Sequence, residues 1–208
     1  MTISFVGGDT ECTTTPTTDT LVLSLPSHNT NDFGLVMSHS DSVPTAPTQA
    51  LTVATGWTEI RNDNPTSGRD RVEYLFRKKF TSGSETNPEI TQSAAFIHSA
   101  LVGVFRGVDT TVQLDVAEQF GSGTNSATPT NVAITTVTDN CCIVLLMACV
   151  QGTDITFVAP TGYTLGPRVD VSNGTPNDDA GYICMAYLLD SGAAGTKTPT
   201  AWQNTGGN

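Results

Sequence analysis

His28, His39 and His98 are the residues of this chain best suited to moving a proton near neutral pH. None stands in a His-x-His or His-Glu-x-x-His spacing, so no local metal-binding or zinc-hydrolase motif is present. His28 and His39 fall in polar stretches that read as loops, and His98 falls in a strand-like run. Each reads as a solvated or hydrogen-bonded structural histidine. A serine nucleophile needs a base and an oxyanion hole, and the usual Gly-x-Ser-x-Gly elbow is missing. Gly121-Ser122-Gly123 sits in a Gly/Ser/Thr/Asn stretch that reads as a loop tip rather than a strained turn. A phosphate cradle needs a helix after its glycines, and none is expected here.

The cysteines and carboxylates lead to the same reading. Cys12, Cys141, Cys142, Cys149 and Cys184 are odd in number and lack paired Cys-x-x-Cys spacing, so neither zinc nor a disulfide framework is indicated. Cys142, Cys149 and Cys184 read as small buried hydrophobes. On an extended strand Cys141 and Cys149 would share one face and Cys142 the other. Two acidic groupings, Asp109 with Asp115 and Asp170 with Asp178 and Asp179, have the oxygen chemistry of a calcium loop but not the EF-hand spacing. They read as turn acids. The carboxylate pair of a glycosidase is a spatial feature that nothing in the sequence promotes. No catalytic residue, metal or cofactor is assigned, and the expectation is a protein without enzymatic activity.

The elements that carry these residues read as strands. Leu21–Leu25 is a short apolar run stopped by Pro26, and 34–37 is a brief one. Residues 57–61 alternate, and Arg71–Phe80 alternates more clearly. Val72, Tyr74, Phe76 and Phe80 fall on one face, with Arg71, Glu73, Arg77 and Lys79 on the other, which predicts a hairpin with 57–61. Residues 81–93 read as a polar connection. Phe96–Arg106, Val132–Val137, Cys141–Val150 and Tyr182–Leu189 are further strands. The last two carry no charge and read as central strands covered on both faces. The expectation is an all-β, two-sheet antiparallel β-sandwich (jelly-roll or Ig-like) of about eight to ten strands. An irregular N-terminal arm over 1–19, one sandwich domain over 20–190 and an extended C-terminal tail over 191–208 complete the organisation.

Composition narrows the function classes. Thr supplies 35 of the 208 residues, and charged residues only 14%, which disfavours a helical bundle. The net charge of -11 argues against a nucleic-acid partner, whose phosphates call for excess cation. No run approaches the ~20 apolar residues of a spanning helix, so no membrane partner is expected. Residues 1–8 lack the basic and apolar regions of a secretory signal, so synthesis in a reducing cytoplasm is expected. The cations are concentrated: Arg61, Arg69, Arg71, Arg77, Lys78 and Lys79 are six of the nine. Arg61, Arg69, Arg71, Arg77 and Lys79 form a candidate docking strip for an acidic protein surface, with edge-strand protection as the structural alternative.

Three segments carry a resemblance: Gly56-Trp57-Thr58, Tyr74-Leu75-Phe76-Arg77-Lys78 and Phe105-Arg106-Gly107-Val108-Asp109. Thr135-Thr136-Val137-Thr138-Asp139-Asn140-Cys141-Cys142 and Pro160-Thr161-Gly162-Tyr163-Thr164 follow in the same order. The ordered set resembles a diffuse group of β-sandwich proteins of tailed-phage and prophage virions, over about residues 20–190. Thr18-Asp19-Thr20 departs from the Gly-Asp pair usual in that group. The resemblance implies a virion structural protein assembled in the host cytoplasm. A head decoration or cement protein docked on the major capsid protein comes first, with a homo-oligomer, trimeric as decoration proteins typically are. A tail-fibre or spike protein binding host carbohydrate is the alternative, followed by another tail structural protein. Trp57 and Tyr163 are expected in the core, and Asp109 at a turn accepting nearby backbone N–H groups. Trp202, in the polar tail, is the one aromatic placed to stack on a sugar.

Overall fold

The computed structural model describes residues 2–13, 17, 20–41, 51–53, 56–63, 71–93, 95, 97–121, 128–151, 155–169 and 180–205. Among them there is no helix, and every strand pairing is antiparallel. The main sheet joins β1 (Ser4–Cys12), β3 (Phe33–Asp41), β5 (Thr58–Asp63), β6 (Arg71–Lys79) and β8 (His98–Arg106) in the order β1-β8-β3-β6-β5. A second sheet joins β10 (Ile143–Gln151), β12 (Thr164–Val169) and β13 (Ala180–Leu188) in the order β10-β13-β12. These two sheets face each other as a β-sandwich. Between them Phe33, Leu35, Met37, Leu101, Phe105, Ile183 and Met185 form the central core.

Each sheet also buries its outer face. β2 (Leu21–Val22), β4 (Leu51–Val53) and β7 (Glu89–Gln92) form a small sheet. Its Leu21 and Ile90 pack, with Leu23, on Val36, Tyr74, Phe76, Val102 and Val104. On the far side, β11 (Thr156–Val158) pairs with β15 (Gln203–Thr205). Ile155, Phe157 and Trp202 there close over Met147, Tyr182, Cys184 and Ala186. A last pair joins β9 (Ile134–Thr136) to β14 (Gly195–Lys197).

The period of two explains how one strand serves two cores. In β8, Ala100, Val102 and Val104 enter the outer core while Leu101 and Phe105 enter the central one. β13 divides the same way, with Ile183 and Met185 inward and Tyr182, Cys184 and Ala186 outward. Its charge-free sequence is thus the mark of a strand buried on both faces, as expected.

The strand count exceeds expectation, fifteen among the described residues against eight to ten. Six strands are only two or three residues long, too short to display alternation. The stretch 1–19, expected as an irregular arm, carries β1, which completes the main sheet against β8. The stretch 191–208, expected as an extended tail, supplies β14 and β15. The brief strand at 34–37 is nine residues long, and the connection 81–93 contains β7. β10, expected as a central strand, is instead the edge of its sheet.

One side of the sandwich is closed and the other open. On the closed side β1 meets β12, where a Cβ on Gly8 would lie 2.2 Å from the Val102 carbonyl oxygen and 2.4 Å from Pro167 Cγ. Only a residue without a side chain fits there. On the opposite side β5 and β6 extend past β10, and the segment 107–121 runs beneath them as a strap. Its Val108 and Leu114 complete the central core.

Candidate docking surface

Arg61, Arg77 and Lys79 share the face of β5 and β6 that looks onto the strap. Arg61 stands opposite Leu75 in register, and Leu75 points into the central core. The strap itself occupies two of these cations, Lys79 and Arg61. Lys79 Nζ donates to the Thr110 carbonyl oxygen at 3.1 Å. The Arg61 guanidinium lies 3.7 Å from the centroid of the Phe120 ring, a cation–π contact. Arg77 lines an open cleft of about 490 Å³ with Glu59, Ile60 and residues 114–118. Arg71 stands at the far end of β6, opposite Asp41. Arg69 lies outside the described residues. Lys78 points to the other face and pairs with Glu85 at 2.8 Å.

The strap is shaped by the Phe105–Asp109 segment. Arg106 reaches Asp32 with one hydrogen bond to each carboxylate oxygen, Nε at 3.0 Å and Nη2 at 2.8 Å. Burial alone would raise the Asp32 carboxyl, but Arg106 and the Asn29 N–H hold it below its usual range. Gly107 then turns the chain at φ +80°, where a Cβ would sit 2.3 Å from the Thr2 carbonyl oxygen. Asp109 Oδ1 accepts the N–H groups of Thr111 at 2.6 Å and Val112 at 2.9 Å, the turn role expected of it. These donors, Val112 foremost, lower its carboxyl. Asp115 anchors the strap to the start of the next element, accepting from Val137 N at 2.7 Å and from the Thr138 hydroxyl. Desolvation opposes its ionisation and these hydrogen bonds outweigh it. Asp109 and Asp115 are therefore bound to separate backbone donors. The grouping of Asp170, Asp178 and Asp179 lies outside the described residues.

The histidines sit elsewhere than the sequence suggested. His39 is in β3 and fully buried, not in a loop. In register it neighbours Ser99 of β8 and Glu73 of β6, with Cys12 of β1 beyond Ser99. On the opposite face Ser40 donates to Gln92 Oε1 at 2.8 Å, beside buried His98. This polar band closes one end of the main sheet. Ser, His and Glu are the residue types of a hydrolytic triad, but Ser99 Oγ has no hydrogen-bond partner among the described residues. Ser99 and His39 are both sealed from solvent. No motif announces the band, because its members come from separate strands. His28 is a clamp: Nδ1 lies 2.7 Å from the Pro26 carbonyl oxygen and Nε2 accepts the Glu85 N–H at 2.9 Å. With the Glu85 N–H on Nε2, Nδ1 is the ring nitrogen left to donate to Pro26.

The remaining expectations concern the aromatics and thiols. Trp57 and Tyr163 pack against the outer cores and are half-buried. Trp202, expected exposed for sugar stacking, is 2% exposed, its ring 6.3 Å from Phe157. The polar tail misled, because the single large ring is what fixes that tail to the sheet. Burial pushes the Cys142 thiol up to about 12. Cys184 is buried, and none of the five cysteines is joined in a disulfide. Among the described residues no group of three or more His, Cys, Asp or Glu is placed to hold a metal ion.

No protein-family model, curated protein or solved structure matches the chain. Fold and surface together define an all-β antiparallel sandwich, closed along one side and strapped along the other.

Proposed function

We propose that the protein is a non-enzymatic structural protein of a tailed-phage virion, a decoration or cement subunit that docks on the head lattice. The observation that carries this reading is the use made of the resemblance residues. Arg106, Gly107 and Asp109 build the strap, Asn140 takes a left-handed turn at φ +58° into β10, and Trp57 packs beside Phe80. The ordered motifs therefore describe a scaffold, as befits subunits whose shared property is a rigid sandwich repeated many times on a particle. Many copies on a lattice multiply modest contacts, so each subunit needs no deep pocket. The carbohydrate-binding alternative has lost Trp202, the residue that motivated it.

A particle map with bound copies counted tests the reading. Density for this chain repeated over the head surface is the expected result. A few copies confined to the tail, or no copies in purified particles, would overturn it.

A further inference from the structure

The cleft between the β5–β6 hairpin and the strap holds charges of both signs that do not pair with one another. Glu59 and Ile60 of β5, Arg77 of β6 and residues 114–118 of the strap line it. Asp115 is already engaged by the Val137 N–H and the Thr138 hydroxyl. Among the described residues no side-chain hydrogen bond or ion pair reaches Glu59, Arg77 or Glu118. By contrast Lys78 and Lys79, the next two residues of β6, each have a partner.

Exposure orders the lining. Glu59 on one wall and Glu118 on the other are exposed, whereas Arg77, Ile60, Leu114 and Val116 are half-buried. The cleft is therefore rimmed by carboxylates over a floor that is apolar apart from one guanidinium. Its volume of about 490 Å³ is that of a ligand site. Three carboxylates against one guanidinium, on a chain of net charge -11, favour a ligand of positive charge. The guanidinium adds a second requirement, since it offers N–H donors and needs an acceptor oxygen.

The geometry points to a basic peptide segment of a partner protein as the occupant of this cleft. Glu59 and Glu118 each take one ammonium or guanidinium group of the segment. Arg77 donates to one of its backbone carbonyls, and an apolar side chain covers Ile60, Leu114 and Val116. A polyamine would meet the two carboxylates but brings no acceptor for Arg77. An acidic peptide would satisfy Arg77 but meet carboxylates on both walls. Only a peptide with basic side chains meets both requirements. The inference concerns this cleft alone and holds whether or not the partner is a capsid protein.

Titration of the full chain with acetyl-Lys-Leu-Lys-amide, followed by amide chemical shifts, is the test. Saturable shifts at 59–60, 77 and 114–118 are expected, with affinity falling as salt is added. Glu59→Gln combined with Glu118→Gln leaves two exposed, uncharged side chains of the same shape and should weaken binding about tenfold. Acetyl-Glu-Leu-Glu-amide should not bind. The diamine 1,8-diaminooctane, with two ammonium groups and no carbonyl, should bind about fivefold more weakly than the basic peptide. Absence of saturable shifts, shifts confined to another surface, or equal affinity in the double variant would overturn the inference. Equal binding of the acidic peptide would overturn the charge assignment, and equal binding of the diamine would overturn the peptide as occupant.

Discussion

Arg106 and Asp32 form a two-pronged clamp across the end of the main sheet, with Nε and Nη2 each on its own carboxylate oxygen. Asp32 also accepts the Asn29 N–H at 2.8 Å, and its backbone carbonyl accepts the Phe80 N–H at 2.8 Å. One residue thus ties the start of β3 to the ends of β6 and β8. Asp32→Ala should cost about 2 kcal/mol, the scale of hydrogen bonds to a charged group. Urea denaturation reads this as a lower midpoint at unchanged slope. In the Asp32→Ala background, Arg106→Ala should add almost nothing, because the two act as a unit. Additive losses would show that the clamp is not the basis of the effect.

Acid should loosen the 81–85 turn before it reaches the cores. The Lys78 ammonium, then the Thr81 and Ser82 donors, hold the Glu85 carboxyl at about 2, against a usual 4.5. A carboxyl lowered by folding stabilises the fold fully above its unfolded value and loses that contribution as pH falls through the folded one. Stability should therefore decline between about pH 4.5 and pH 2, and Glu85→Gln should flatten that part of the profile. A variant with the same acid slope as the parent would contradict the assignment.

Gly8→Ala should open the closed side of the sandwich. Its methyl would collide with the Val102 backbone and with Pro167, and neither is the free end of a flexible side chain. A loss of about 2–3 kcal/mol is expected, the upper part of the range for overpacking. Adding Pro167→Gly should recover only part of it, because the Val102 carbonyl remains. A thermal melt equal to that of the parent would mean that β1 and β12 do not approach so closely.

Trp202→Ala should behave as a core truncation and cost about 3–5 kcal/mol. Proteolysis of the 191–205 segment should then become faster, since the ring anchors β15 and its surroundings to the outer core. Unchanged stability would place the ring at the surface and restore the sugar-stacking role.

The sequence made some levels of this fold legible and not others. The β5–β6 hairpin, β8 and β13 were readable because each is long enough for its pattern to repeat. β10 was readable as a strand but not as an edge. Freedom from charge reports burial of side chains, whereas the edge is a property of backbone pairing. β1 was hidden because Gly7, Gly8, Asp9 and Glu11 have poor strand preference, and the pairing with β8 overrides it. Of the candidate strip, the alternation correctly placed Arg77 and Lys79 on one face of β6. The strap that meets Arg61 and Lys79 was invisible, because it contacts them through a carbonyl and a ring from more than thirty residues away. Asp109 was assigned correctly because its partners are two and three residues distant. Asp115, with its partners at 137 and 138, was not.

The alternation along β8 has a consequence for how the molecule melts. Val102 and Leu101 are chain neighbours, yet one belongs to the outer core and the other to the central one. Neither core can dissolve while this strand stays extended, and neither survives once it leaves. The sandwich therefore has no weak plane along which to delaminate, and heat should take both cores apart in one cooperative event with a single calorimetric peak.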